Sequence, residues 1–220
     1  MSIHIRTFPR AGLIGNPSDG FFGRTIAFTF DDFYVDLNLE KCDRLELHQI
    51  GVPCLAFESV TALIESVSRQ GYDSDHGLLC ATIKRFHQHI GMDESLLAMP
   101  PFSLSFRSTI PFQLGFAGSS AIIIAGLRAL ASYYDLTIPP HEMAALALDV
   151  ETRELNIAGG LQDRVAQVYQ GLIYMDFDRD LMENRGFGDY EKLDPSGLPH
   201  LFIAYRHSFA EESGIYGDRQ

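Results

Sequence analysis

The chain has 220 residues and a formal net charge of -12, with 46% hydrophobic and 21% charged residues. This composition excludes the disordered, collagen-like and disulfide-stapled classes and predicts a soluble globular protein. Because binding to nucleic acid or to anionic lipid depends on clustered Lys and Arg, the acidic balance also argues against both as partners.

The cysteines and the N-terminus indicate the compartment. Cys42, Cys54 and Cys80 are an odd number without C-x-x-C spacing, which is typical of a reducing compartment and gives no sign of structural zinc. We expect all three to be buried thiols. The first residues lack the apolar run of a signal peptide, and the longest apolar stretch, at 121–127, ends at Arg128. Cytoplasmic residence is therefore the expectation.

The first half of the chain predicts strands followed by helices. Alternating apolar and polar residues predict an antiparallel meander of three strands, at 25–30, 34–39 and 44–49. Apolar residues at helical spacing predict two helices, at 58–69 and 76–89. His87 and His89 are two residues apart, so they point to different faces of the second helix, and we interpret them as surface histidines.

The second half predicts a long apolar helix between two glycine-containing loops. A strand is expected at 102–106, a loop at 111–118 and the helix at 119–134. The prolines after Thr137 fit the first turn of another helix that ends near Glu154. The remaining predicted elements are a loop at 155–160, a helix at 161–169 and strands at 171–177 and 200–205. The pattern predicts an α+β fold with a mainly antiparallel sheet packed with helices.

Residues 110–121 join a glycine-containing loop to the start of the apolar helix. The unpaired N–H groups at a helix N-terminus and the helix dipole together bind phosphate. Gly115 and Gly118 allow tight turns, while Ser119 and Ser120 can cap the helix or offer a hydroxyl to phosphate or Mg2+. A plain capping turn has the same sequence, so both interpretations stand on the residues alone. The Walker and dinucleotide-binding motifs, G-K-[ST] and G-x-G-x-x-G, do not occur.

Three segments in order resemble signatures of the GHMP kinases, which include galactokinase, homoserine kinase, mevalonate kinase and phosphomevalonate kinase. Residues 9–19 (PRAGLIGNPSD) resemble the first signature, 111–121 (PFQLGFAGSSA) the second, and 159–164 (GGLQDR) the segment with the catalytic aspartate. The segments LIGNPSD, FGRT and GLQDRVAQVY are most similar to those of the glucuronokinase branch. Two departures from the family pattern are one additional residue after Gly115 and Phe116 in place of the usual Leu.

The resemblance implies a domain organisation. Residues 1–207 would form the N-terminal nucleotide- and substrate-binding domain with a ribosomal-protein-like βαβ unit, and 208–220 a polar tail or the start of a C-terminal domain. The family's C-terminal domain carries a third, glycine-rich signature, and no G-x-G-G stretch follows Asp163. We therefore expect that domain to lie on a separate chain or to be missing from this sequence.

The resemblance also implies an ATP-dependent kinase that transfers the γ-phosphoryl group to a sugar or sugar acid, with glucuronate as the expected acceptor. Asp163 would be the base or orienter of the acceptor hydroxyl, and Arg10 would stabilise charge on the transferring phosphoryl group. Ser120 and Glu151 would hold Mg2+. Arg24 would pair with an acceptor carboxylate. The expected ATP contacts are Pro111, Gly115, Ala117, Gly118, Ser119, Ser120 and Ala121, and the expected acceptor contacts are Asn16, Ser18, Asp19 and Arg24.

Two other interpretations remain open from the sequence. The chain fits a catalytically silent sugar- or nucleotide-binding protein, or an inactive kinase fragment that associates through an uncovered sheet edge. Asn16 before Pro17 and Asp19 before Gly20 are also typical of turns without a ligand. Asp163 likewise fits an ordinary residue on a helix surface.

Overall fold

The computed structural model describes residues 2–72 and 75–205, which form nine strands and seven α-helices. The strands are β1 (Ser2–Thr7), β2 (Arg10–Ile14), β3 (Arg24–Thr29), β4 (Val35–Lys41), β5 (Leu45–Gln49), β6 (Leu55–Phe57), β7 (Phe102–Ser108), β8 (Leu172–Asp176) and β9 (Asp189–Leu193). The helices are α1 (Val60–Gln70), α2 (Gly77–His89), α3 (Glu94–Leu97), α4 (Gly118–Tyr133), α5 (Pro140–Asp149), α6 (Leu161–Tyr169) and α7 (Arg179–Arg185). The predicted tail at 208–220 lies outside the described residues.

Two sheets organise these elements. The first has the strand order β1-β4-β7-β5-β6 and the second the order β2-β3-β8-β9. All pairs are antiparallel except β5 and β7, which are parallel and are connected through the first three helices as a βαβ crossover. The predicted α+β class with mainly antiparallel pairing is confirmed.

The predicted meander is wrong. The strand expected at 25–30 is β3, which belongs to the second sheet, and β4 and β5 are separated by β7. Alternation identifies a strand because side chains point to opposite faces in turn, but it does not identify the neighbouring strand. The strand expected at 200–205 is also wrong, since these residues are irregular.

The core lies between the first sheet and α4. Leu37, Leu39 and Leu104 on β4 and β7 are fully buried, and α4 packs against β1 and β4 while α2, α5 and α6 cover its other sides. A helix that is apolar all round is expected in such a central position. Truncating one of these leucines to Ala would destabilise the fold by about 2–5 kcal/mol. In the described part of the chain, no helix has the length and apolarity needed to span a membrane.

Two expectations about single side chains are wrong. His87 is fully buried, with its Nδ1 2.8 Å from the carbonyl oxygen of Ile83 and its Nε2 3.0 Å from the hydroxyl of Tyr134. Its two hydrogen bonds allow a polar ring to occupy the core. Cys54 is exposed, whereas only Cys80 of the three thiols is buried.

Candidate functional site

An arginine–aspartate pair joins the first strand of the second sheet to α6. The Nε and Nη2 atoms of Arg10 lie 2.6 and 2.5 Å from Oδ1 of Asp163, and the two residues are 153 positions apart in sequence. Nη1 of Arg10 also donates to the carbonyl oxygen of Gly115 at 3.2 Å. The side chains of Arg10 and Asp163 are 13% and 21% exposed, so the pair is restrained but accessible to a ligand.

The loop before α4 contains two residues in the left-handed backbone conformation. Gly115 and Ala117 have φ of 73° and 58°, and α4 begins at Gly118 without a side-chain cap. The N–H groups of the first helical turn therefore have no intrahelical acceptor and form a positive N-terminus. Ser119 is exposed there, whereas Ser120 is buried.

Ala117 needs external support, because a left-handed conformation costs a non-glycine residue about 1–2 kcal/mol. Gln167 on α6 supplies it: its Nε2 donates to the carbonyl oxygens of Ala117 and Phe8 at 2.9 and 3.0 Å. The N–H group of Arg10 donates to the carbonyl oxygen of Phe116 at 3.3 Å. The loop is thus fastened to β2 and α6, the elements that bear the charged pair.

Phe116 anchors the same loop through aromatic contacts. Its ring lies 5.6 Å from that of Phe30 in an edge-to-face arrangement and 6.3 Å from that of Phe33 in a stacked arrangement. Aromatic pairs of this kind add about 0.5–1.5 kcal/mol beyond their buried area. The substitution of the usual Leu by Phe therefore accompanies an aromatic cluster contributed by other parts of the chain.

Ser120 and Glu151 meet beneath the loop. Oγ of Ser120 lies 3.4 Å from Oε1 and 3.3 Å from Oε2 of Glu151, and each of these residues is 2% exposed. Glu151 lies in a π-helical turn, Val150–Glu154, that continues α5. Arg164 forms a buried ion pair with Oε2 of Glu151, with its Nε at 2.6 Å. Burial raises the pKa of the Glu151 carboxyl, and the guanidinium of Arg164 opposes that shift.

The segment expected to hold the acceptor packs onto the N-terminus of α6. Oδ2 of Asp19 accepts from the backbone N–H of Gln162 at 3.1 Å, and Oδ1 of Asn16 accepts from Nε2 of the same glutamine at 3.0 Å. Burial raises the pKa of Asp19, while the hydrogen bond from Gln162 lowers it. A Cβ at Gly160 would overlap Oδ2 of Asp19, so this close approach requires glycine at 160. Ser18 instead donates to the carbonyl oxygen of Arg24 at 3.0 Å.

Arg24 pairs with a carboxylate other than that of Asp163. Its Nε donates to Oδ2 of Asp176 on β8 at 2.7 Å, and its side chain is 69% exposed. Of the remaining expected contacts, Pro111 is partly buried, and Ala121 is fully buried with its carbonyl oxygen accepting from Thr7 at 2.8 Å. The structure therefore brings together Arg10, Asp163 and the loop, but gives Arg24 a protein carboxylate as partner.

Sequence reasoning missed three buried polar residues on α6, namely Gln162, Arg164 and Gln167. They alternate with the apolar residues Val165, Ala166 and Val168, which are also buried. Polar side chains at core-facing positions must find partners, because an unpaired buried polar group costs about 1–3 kcal/mol. Polar residues at helical positions that should face the core were therefore the sequence signal for buried side chains with hydrogen-bond partners.

Comparison with known proteins identifies a matching domain and two similar relatives. Residues 77–171 match the profile described as GHMP kinases N terminal domain. The chain is 37% identical over 218 residues to Glucuronokinase 1 and 37% identical over 215 residues to Probable glucuronokinase 2, both from Arabidopsis thaliana. These matches cover 98% and 96% of this chain but only 60% and 58% of the relatives, so the chain spans about three fifths of their length.

Solved structures agree on the fold. A D-glycero-D-manno-heptose 1-phosphate kinase from Bacteriodes thetaiotaomicron superposes with a TM-score of 0.72 at 20% identity, over 88% of this chain and 60% of that one. The mevalonate kinase of Methanococcus jannaschii gives a TM-score of 0.68 at 17% identity, over 88% and 56%. Residues 77–171 therefore match a GHMP kinase N-terminal domain, and over almost its whole length the chain is similar to two glucuronokinases.

Proposed function

We propose that this chain is the N-terminal part of an ATP-dependent kinase that transfers the γ-phosphoryl group to a sugar or sugar acid, with glucuronate as the preferred acceptor. The observation that carries the proposal is the pairing of Arg10 with Asp163 beside the uncapped N-terminus of α4. The names of the two plant relatives support the choice of acceptor. In an otherwise acidic chain, Arg10 brings a positive charge to the loop before α4, which fits a small phosphorylated ligand. We also place the enzyme in the cytoplasm.

ATP would lie with its phosphates against the loop. The uncapped N–H groups from Gly118 onward and the exposed hydroxyl of Ser119 suit phosphate oxygens. Gly115 allows the backbone to turn with its positive φ, and an added Cβ there would meet nothing within 4 Å, which leaves space above the loop. The loop residues that we assign to ATP are Pro111, Gly115, Ala117, Gly118, Ser119, Ser120 and Ala121.

The charged pair divides the chemistry between its members. The carboxylate of Asp163 would accept the proton of the attacking acceptor hydroxyl or orient that hydroxyl, so that its oxygen forms the new bond to phosphorus. The guanidinium of Arg10 would stabilise the negative charge that develops on the phosphoryl group as its bond to the leaving diphosphate breaks. Their mutual hydrogen bonds hold both groups in position before a ligand arrives.

Ser120 and Glu151 fit Mg2+ by donor type, because magnesium prefers hard oxygen ligands and takes few of them from protein. Arg164 occupies Oε2 of Glu151, which leaves Oε1 without an arginine contact, and the hydroxyl of Ser120 lies 3.4 Å from Oε1 and 3.3 Å from Oε2. We propose that Oε1 and this hydroxyl are the protein ligands. Bound Mg2+ would neutralise phosphate charge, and the guanidinium of Arg164 opposes the rise that burial causes in the pKa of Glu151.

The acceptor would contact the segment that lies on α6. Asn16, Ser18 and Asp19 provide several polar atoms close to Asp163, as a polyol requires. Arg24 is assigned to the acceptor carboxylate, since its exposed guanidinium has further N–H groups beyond the one that Asp176 accepts.

A turnover assay tests the proposal. Purified chain with ATP and Mg2+ should consume ATP when glucuronate is added, with galactose as the comparison acceptor, and Asp163→Asn should lower kcat about 100- to 10,000-fold. Asp180→Asn is the matched control, because Asp180 also lies in the first turn of a helix but is exposed. Thermal stabilisation by ATP or glucuronate without turnover would contradict catalysis and favour a binding protein.

A further inference from the structure

A cluster of three ligand-type side chains, none of them assigned a role above, lies on the hairpin formed by β5 and β6. Glu46, His48 and Cys54 each offer one ligand atom, and these atoms all lie within 4.8 Å of one another. Across residues 2–72 and 75–205, this is the only group of three or more His, Cys, Asp or Glu side chains with that property. The cluster combines a carboxylate, an imidazole and a thiol.

Strand geometry explains why the three meet. Leu45 and Leu47 on β5 are fully buried, so Glu46 and His48, which alternate with them, point together to the opposite face of the sheet. Cys54 directly precedes β6, which pairs antiparallel with β5. The hairpin turn therefore returns the thiol to the strand that bears the other two groups.

Two of the three spacings are close to those of a tetrahedral metal site. Zn–N, Zn–O and Zn–S bonds of about 2.0–2.3 Å at tetrahedral angles place N and O ligands about 3.4 Å apart and N and S ligands about 3.6 Å apart. Nε2 of His48 lies 3.1 Å from Oε2 of Glu46 and 3.8 Å from Sγ of Cys54. A metal ion thus requires shifts of a few tenths of an ångström in these two spacings, and the carboxylate oxygen and the thiol sulfur lie within 4.8 Å of each other.

We propose that Glu46, His48 and Cys54 bind Zn2+ and that the ion clamps the β5–β6 hairpin. A thiolate with an imidazole selects a borderline-soft cation and disfavours Mg2+, so this site is distinct from the one proposed at Ser120 and Glu151. Three protein ligands leave a fourth position for water. The thiol of Cys54 loses its proton to solvent on binding, and no oxidation or reduction accompanies the step.

The clamp would secure the edge of the first sheet. β6 has three residues and pairs only with β5 among the described strands, so it is a short edge strand held by few hydrogen bonds. A metal that joins β5 to the residue before β6 fixes the hairpin closed. Glu46 and His48 face away from α4 and the core, so the ion stabilises the scaffold without entering the phosphoryl-transfer site.

Titration of the full chain with Co2+ tests the site, because a thiolate on cobalt gives a charge-transfer absorption that nitrogen and oxygen ligands do not. We expect one Co2+ per chain with this band, and its loss on addition of one equivalent of Zn2+. Cys54→Ser should abolish the band. Cys42→Ser, which removes the other thiol that is not buried, should retain it.

Thermal melting gives a second readout. Zn2+ alone should raise the Tm of the wild type and of Cys42→Ser, and this rise should be lost in His48→Gln and in Cys54→Ser. Cys42, His48 and Cys54 all lie outside the buried core, so the variants should fold. Absence of stoichiometric Co2+ binding, a band that survives in Cys54→Ser, or an equal Tm rise in His48→Gln would each overturn the proposal.

Discussion

The contact between Gly160 and Asp19 offers a quantitative test of how the acceptor segment is held on α6. A Cβ added at Gly160 would overlap Oδ2 of Asp19 and lie 2.9 Å from its Cγ. Gly160→Ala therefore forces the carboxylate away from the N–H group of Gln162. Overpacking of this kind costs about 1–3 kcal/mol, and we expect a loss of about 2 kcal/mol in the free energy of unfolding.

Removal of the carboxylate should relieve that penalty. Asp19→Ala alone loses a hydrogen bond at a helix N-terminus, worth about 1 kcal/mol. It also removes a carboxyl whose pKa burial raises, which offsets part of that loss. In the Asp19→Ala background, Gly160→Ala should cost at most about 0.5 kcal/mol, the difference between Gly and Ala near an N-cap. The coupling energy between the two sites is then about 1.5 kcal/mol.

Urea denaturation of the wild type, the two single variants and the double variant measures this coupling. Gly20→Ala is the matched control, because it lies beside Asp19, has no positive φ and would place a Cβ with nothing within 4 Å. Its effect should stay within about 0.5 kcal/mol. If Gly160→Ala lowers the free energy of unfolding by the same amount in the wild type and in the Asp19→Ala background, the acceptor segment does not pack on α6 as described.

Three further changes concern buried polar groups. Burial lowers the pKa of His87 from 6.5, so below that pH the unfolded chain takes up a proton that the folded chain does not. The free energy of unfolding should therefore decrease by up to about 1.4 kcal/mol for each unit by which the pH is lowered. His87→Gln should remove this slope in acid- and neutral-pH denaturation curves. Arg164→Met leaves the Glu151 carboxylate buried and unpaired and should destabilise the protein by about 3–5 kcal/mol in urea at pH 7. Because burial raises the pKa of Glu151, this loss should shrink as the pH falls and the carboxyl is protonated. Gln167→Leu leaves the carbonyl oxygens of Ala117 and Phe8 without their donor, which should cost about 1–3 kcal/mol and weaken ATP binding in calorimetry.

Each of these three substitutions has a control variant at a more exposed position of the same protein. His89→Gln should keep the pH slope, because His89 is partly exposed, so a slope that persists in His87→Gln would contradict the assignment. Arg185→Met breaks an exposed ion pair and should change stability by at most about 1 kcal/mol; an equal effect of Arg164→Met would contradict the buried-pair argument. Gln70→Leu at the exposed end of α1 should leave ATP affinity unchanged, and so should Gln167→Leu if the loop does not bind phosphate.

The longer helices were predictable from the sequence because their period is local, whereas the short helices α3 and α7 were not predicted. The helix predicted at 161–169 is α6 with the same bounds, and the one predicted at 119–134 is α4 shifted by one residue. Strand partners were not predictable, since alternation is the same whether β3 pairs with β4 or with β8. The edge strand β6 has only three residues, too few for a periodic signal.

The site was predictable in part. The expectation that Arg10 and Asp163 converge came from family resemblance, because no local pattern relates residues 153 positions apart, and the structure brings them into contact. Their roles in catalysis stay predictions. Gln167 and Arg164 were missed because a polar residue in a helix is assumed to face solvent unless its position in the period is examined.

The second sheet also constrains how the protein reaches its native state. Arg24 on β3 pairs with Asp176 on β8, and 152 positions separate them. Closing so long a loop is entropically costly, and such non-local pairing slows folding. During synthesis the β2–β3 hairpin leaves the ribosome long before β8 has been made, so the edge of β3 that will pair with β8 has no partner strand during that time. Refolding should therefore restore helical circular dichroism first, and the contact between Arg10 and α6 should form only in the last, slowest phase.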